Sequence, residues 1–200
     1  PLFINLGVGM PTMVADYLGG EENVYLQAEN GMLGVGPKAP PGKEDRQLIN
    51  AGRQPVTETP GCCFFDSATS FGMIRGGHID VTVIGAFEVD EKANIANWII
   101  PDGRMLGVGG AMDLVTGAKR VIVAMQHLDR KGRSKLKKAC SLPITGFGEA
   151  HLVVTELGVF RFERGRYVLA EIAPEVTLEE IRKITDAAFD AADDLRMMTA

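Results

Sequence analysis

Four short apolar runs set the terms on which this chain can fold: Leu2-Phe3-Ile4-Asn5-Leu6, Val24-Tyr25-Leu26-Gln27-Ala28, Ile79-Asp80-Val81-Thr82-Val83-Ile84 and Val121-Ile122-Val123-Ala124-Met125. Each has the length of a strand rather than a helix, and the last two are rich in β-branched residues, the pattern of strands buried inside a sheet. Helical signals fall between and after them. Pro11 suits the first position of a helix running to Leu18 and ended by Gly19-Gly20; Asp66-Ser67 caps another through Ile74, stopped by Gly76-Gly77. Thr177-Leu178-Glu179-Glu180 is a capping box, and Ile181, Ile184, Ala188 and Ala192 continue it at helical spacing. Asn94 to Ile100 is expected to be a shorter strand, His151 to Thr155 a buried one, and Val159–Phe162 with Tyr167–Ile172 a hairpin. Interspersed strands and helices define an α/β fold, with a mostly parallel open sheet flanked by helices. Two hundred residues suit a single domain, 1–200.

Composition narrows the partners. A net charge of -5 is too mild to demand any, and it argues against nucleic acid. No apolar run approaches the ~18 residues of a membrane helix, and no leader pattern opens the chain, so a cytoplasmic protein without membrane contact is expected. Cys62, Cys63 and Cys140 lack metal-ligand spacing and are expected to be small hydrophobes, with no metal site.

The chemistry-bearing stretch is Gln27-Ala28-Glu29-Asn30-Gly31. It places a carboxylate where a strand runs out into what is expected to be a glycine-rich loop, Gly31 to Pro37. In open α/β sheets the crevice beyond the strands' carboxyl ends is where ligands bind. The region from Gly34 to Gly61 is expected to be a long loop with regular structure only around Gln54–Thr59. Gly7-Val8-Gly9 lacks the third glycine of a dinucleotide fingerprint and is accounted for by a tight strand-to-helix turn. The glycines of Gly107-Val108-Gly109-Gly110-Ala111-Met112-Asp113 are denser than a turn requires and could present consecutive N–H groups to an oxyanion or phosphate. Arg130 to Lys138 is expected to be a solvated loop and helix face, and His78, His127 and His151 to be structural or surface groups.

Taken in order, Asn5-Leu6-Gly7-Val8-Gly9-Met10-Pro11-Thr12, Glu29-Asn30-Gly31, Ile74-Arg75-Gly76-Gly77-His78-Ile79-Asp80, Ala96-Asn97-Trp98, Gly109-Gly110-Ala111-Met112-Asp113-Leu114-Val115 and Thr155-Glu156-Leu157 resemble the β subunits of 3-oxoacid CoA-transferases of the acetoacetate (butyrate–acetoacetate) type, with succinyl-CoA and 3-oxoadipate enzymes as near kin. The resemblance implies that Glu29 is a covalent nucleophile. It passes through an acyl-glutamyl anhydride and a glutamyl-CoA thioester, with Asn30, Gly31, Gly109, Gly110 and Ala111 at the oxyanion and CoA site. A carboxylate nucleophile needs no adjacent base, which fits the lack of any triad. No permanent cofactor is implied; coenzyme A and acyl-CoA are substrates. The resemblance further implies a separate α subunit, an α2β2 assembly, a chain inactive by itself and a helix ahead of the first strand that these residues do not include. Ala28 stands where the family commonly has Ser. The competing expectation is a non-catalytic or sugar-phosphate-binding relative of the same fold.

Overall fold

The computed structural model describes residues 1–18, 21–100 and 103–199. They fall into two compact units, Pro1–Gly85 with Asp113–Arg120, and Ala86–Met112 with Val121–Ala200.

In the first unit, strands β1 (Leu2–Leu6), β2 (Val24–Ala28), β3 (Met32–Lys38), β4 (Val56–Phe64) and β5 (Val81–Ile84) line up in the order β5-β1-β2-β3-β4. The two apolar runs that open the chain pair in parallel, Leu2 against Val24 through Asn5 against Gln27. β1 also pairs in parallel with β5, Asn5 against Thr82. β3 and β4 then continue the sheet antiparallel. Helix α1 (Ser67–Arg75) starts where expected, the Asp66 carboxylate accepting from the Thr69 N–H at 2.7 Å. Ile74 of α1, Ile79 and Leu114 of α2 (Ala111–Gly117) form one buried cluster; Ala28, Met32, Val35 and Val56 form another.

Two expectations are corrected here. The segment beginning at Pro11 is a 3-10 helix, Met10–Tyr17, in place of an α-helix; its expected Gly19-Gly20 stop lies outside the described residues. The glycine-rich stretch after Glu29 is no loop. Met32–Lys38 is a full strand, and its partner β4 takes up the end of the supposed 34–61 loop, leaving 39–55 irregular. The glycines serve close pairing rather than flexibility. A Cβ on Gly36 would stand 2.9 Å from the Thr57 carbonyl oxygen, so only glycine lets the two backbones approach.

The second unit carries the order β13-β12-β11-β10-β8, from β8 (Arg120–Ala124), β10 (Leu152–Val154), β11 (Gly158–Glu163), β12 (Arg166–Ile172) and β13 (Phe189–Met197). β8 and β10 are parallel, and β10, β11 and β12 are antiparallel, confirming the expected hairpin. A smaller sheet joins β6 (Glu88–Asp90), β7 (Ile95–Ala96) and β9 (Leu136–Lys137). The strand expected over Asn94–Ile100 shrinks to β7, because Asn94 instead donates from its main-chain N–H and side-chain amide to Asp90 and closes a turn. Buried Tyr167, Phe160, Leu169, Val121, Val123 and Val153 make the core. Helix α3 (Leu178–Ile184) has its full capping box. It stops at Ile184, however. Ala192, expected to extend it, lies in β13, and Ala188 precedes that strand.

The α/β class thus holds, with parallel pairing at β2-β1-β5, β8-β10, β12-β13 and β6-β9 and antiparallel pairing at β2-β3-β4, β10-β11-β12 and β6-β7.

Candidate active site

Glu29 occupies the first position of a three-residue turn, Glu29-Asn30-Gly31, that joins β2 to β3. The hairpin register closes on Ala28 opposite Met32, and the Gly31 N–H donates to the Ala28 carbonyl at 3.0 Å. Two further bonds hold the turn. The Asn30 amide donates to the Ile49 carbonyl at 2.9 Å, and the Phe65 N–H donates to the Gly31 carbonyl at 3.0 Å. Gly31 sits at φ 127°, and a Cβ there would collide with the Phe65 carbonyl oxygen. Glu29 itself is half-buried and Asn30 exposed. The parallel strand therefore delivers the carboxylate at its carboxyl end, as expected, but onto a tight hairpin instead of an open loop.

Beneath the carboxylate lies a polar row that the sequence reading missed. The Asn5 amide nitrogen donates to Glu29 Oε2 at 3.0 Å and to Gln27 Oε1 at 2.6 Å; the Gln27 amide in turn donates to Ser70 Oγ of α1 at 2.8 Å. Asn5 and Ser70 are fully buried and Gln27 nearly so. The available signal was polar residues interrupting apolar strand runs at matched positions, Asn5 in the first and Gln27 in the second.

Gly109, Gly110 and Ala111 come together where a turn opens α2. Gly109 is exposed at φ 54°, and Gly110 and Ala111 are half-buried. The Ala111 N–H already donates to the Val108 carbonyl at 3.1 Å. Asp113, in the first turn of the helix, accepts from Arg75 Nε at 2.7 Å.

The other sequence candidates are structural. His127 is fully buried between Thr155 Oγ1 (3.2 Å) and Thr185 Oγ1 (2.8 Å), and His78 and His151 are both exposed. The basic stretch is a loop leading into β9, tied by Arg133 to Asp129 and by Lys137 to Asp186. The three cysteines are unpaired, and burial pushes the Cys140 thiol up to about 12. Among the described residues no cluster of three or more His, Cys, Asp or Glu is arranged to hold a metal ion, and no helix is long and apolar enough to cross a membrane.

The sequence profile of the family described as coenzyme A transferase matches residues 3–183. A Bacillus subtilis protein named as a probable succinyl-CoA:3-ketoacid coenzyme A transferase subunit is 52% identical over 186 residues, covering 93% of this chain and 86% of its own. The beta subunit of the acetate CoA-transferase of Escherichia coli is 49% identical, covering 96% and 88%. Among solved structures, an acyl-CoA transferase of Escherichia coli O157:H7 superposes with a TM-score of 0.79 at 22% identity over 99% of this chain, which spans only 40% of that longer one. Glutaconate coenzyme A-transferase from Acidaminococcus fermentans gives 0.73 at 18% identity, covering 100% and 83%. At such identities these two establish the fold alone. The chain belongs to the coenzyme A transferase family, on its β-subunit side.

Proposed function

We propose that this chain is the nucleophile-bearing subunit of a heteromeric CoA-transferase and that Glu29 is covalently joined first to an acyl group and then to coenzyme A. The carboxylate attacks the thioester carbonyl of an acyl-CoA, forming the acyl-glutamyl anhydride and expelling CoA as its thiolate. The thiolate adds to the glutamyl carbonyl, the first acid departs with the bridging oxygen, and a glutamyl-CoA thioester remains. An acceptor carboxylate runs the sequence in reverse and leaves as the new acyl-CoA.

The observation that carries this reading is the placement of Glu29: a half-buried carboxylate at the tip of a constrained turn beyond a parallel strand, with one oxygen already hydrogen-bonded. Each addition passes through a tetrahedral oxyanion, and each donor aimed at it contributes about 3 kcal/mol in comparable sites. We assign that role to the Gly109–Ala111 turn, with the Gly110 N–H as its leading donor. The substrates are short-chain carboxylic and 3-oxo acids, in keeping with relatives named for succinyl-CoA, 3-ketoacids and acetate. A companion α subunit, in paired αβ units, completes the site, with all 200 residues acting as one catalytic domain in the cytoplasm.

The test is incubation of the chain, with and without its companion subunit, with acyl-CoA, followed by peptide mass analysis. A CoA adduct on Glu29 is expected in the assembled enzyme, and Glu29→Gln is expected to abolish both adduct and turnover while leaving the thermal midpoint nearly unchanged. An adduct on another residue, or substantial turnover by the variant, overturns the assignment.

A further inference from the structure

We infer that Asn5 is a positioning residue for the Glu29 carboxylate, held to that task by a side-chain relay that begins in helix α1. The inference rests on Glu29 being the nucleophile.

The first observation is a matter of composition across the sheet. Gln27, Asn5 and Thr82 are register partners on β2, β1 and β5, and they are 2%, 0% and 0% exposed. One transverse rung of an inner parallel sheet is therefore wholly polar, where apolar residues would avoid any desolvation cost. The rung lies towards the carboxyl ends of β1 and β2, close below the turn that bears Glu29.

The second is that the Asn5 amide can face only one way. Its nitrogen lies 3.0 Å from Glu29 Oε2 and 3.2 Å from the Gln27 main-chain carbonyl, and both of those groups accept without donating when the carboxylate is ionised. With Gln27 Oε1 at 2.6 Å as a third acceptor, the two N–H bonds of Asn5 are shared among three oxygens, all of the β2 strand and its turn. The Asn5 Oδ1 has no partner among the described residues, and neither does the hydroxyl of Thr82. A buried amide kept for stability would have its carbonyl oxygen paired as well. This one is kept for its donor.

The third is that the donor is itself held. Gln27 Oε1 accepts from Asn5 at 2.6 Å while the Gln27 amide donates to Ser70 Oγ at 2.8 Å, so each link fixes the rotamer of the next. Ser70, Gln27 and Asn5 form a chain from the helix to the turn. It engages one carboxylate oxygen and presents the lone pairs of the other to an incoming thioester.

The assembled enzyme tests this by the single-turnover rate of CoA-adduct formation at Glu29. Asn5→Leu is expected to slow that step about 100-fold, as a misplaced reacting group does, with the acyl-CoA concentration for half-maximal rate within about twofold of wild type. Ser70→Ala, a small change at the far end of the relay, is expected to slow it several-fold at an unchanged thermal midpoint. Asn5→Asp gives a readout that a purely structural role would not move. The groups facing position 5 from β2 and β5 are Gln27 and Thr82, and neither titrates. The introduced acid therefore titrates beside the Glu29 carboxylate that the amide touched, with Ser70 of α1 reaching the row only through Gln27; protonated, it donates in the amide's place, and ionised, it repels. The variant's rate is expected to climb as pH falls through the weakly acid range, relative to wild type. Wild-type adduct rates in Asn5→Leu and Ser70→Ala, or a pH profile for Asn5→Asp parallel to wild type, overturn the inference while leaving Glu29 as nucleophile. A wild-type enzyme that forms no adduct at Glu29 overturns the nucleophile itself and this inference with it.

Discussion

Gly31 shows how much of the proposed chemistry rests on a residue with no side chain. Its φ of 127° lies where a Cβ is strained, and the Phe65 carbonyl oxygen occupies the space that a Cβ would need. Gly31→Ala is expected to cost about 2 kcal/mol or more, because neither the backbone nor Phe65 can yield cheaply. A lowered urea midpoint together with a loss of CoA-adduct formation would be the joint signature, since Glu29 shares the turn. A midpoint equal to wild type would contradict the constraint. At this scale the sequence was partly legible. The place of Glu29 at a strand's end was legible because a strand running out into a carboxylate is a local pattern. Asn5 and Gln27 were not, because each is unremarkable in its own segment and their meaning lies in a cross-strand register that no local pattern encodes.

Helix α3 was legible at its start and misread at its end. Thr177 Oγ1 accepts from the Glu180 N–H while the Glu180 carboxylate accepts from the Thr177 N–H at 2.8 Å. Thr177→Ala is expected to destabilise the protein by about 1 kcal/mol, measured as a lowered thermal midpoint with faster amide exchange concentrated in residues 178–184. The misreading came from apolar spacing that runs on through Ala188 and Ala192 after the helix has stopped. Pairing decides there instead. β13 lies parallel to β12, with Ala191 against Leu169 and an Asp190–Arg166 ion pair of 2.6 Å at the edge. Alanine and aspartate are poor strand formers in isolation, so this is tertiary context overriding propensity. The Gly- and Pro-containing strand β3 was missed for the same reason: its register to β4 shifts twice, and irregular pairing leaves no period to detect.

For the molecule as a whole, a buried histidine is one source of acid sensitivity, acting at higher pH than the carboxylates. His127 is fully buried against two threonine hydroxyls, and burial pushes its pKa below the ordinary 6.5, opposed by the Glu156 carboxylate nearby. Between the lowered value and the ordinary one the unfolded chain binds the extra proton. Stability from this residue is therefore complete above about pH 6.5 and declines as pH falls below it. Urea midpoints taken from about pH 7.5 down to about pH 5 are expected to fall, and His127→Gln is expected to flatten that slope even if its midpoint is lower throughout. An unaltered slope would assign the acid sensitivity to other groups.

The three-residue turn has a consequence for what can change over time in chains built this way. Adding or deleting one residue between Ala28 and Met32 would invert the pleat of the following strand and turn its inward side chains outward, so that segment is closed to length variation. Residues 39–55, irregular and free of that constraint, are where insertions can accumulate, and lineages should diverge in size there while the 29–31 corner keeps one length.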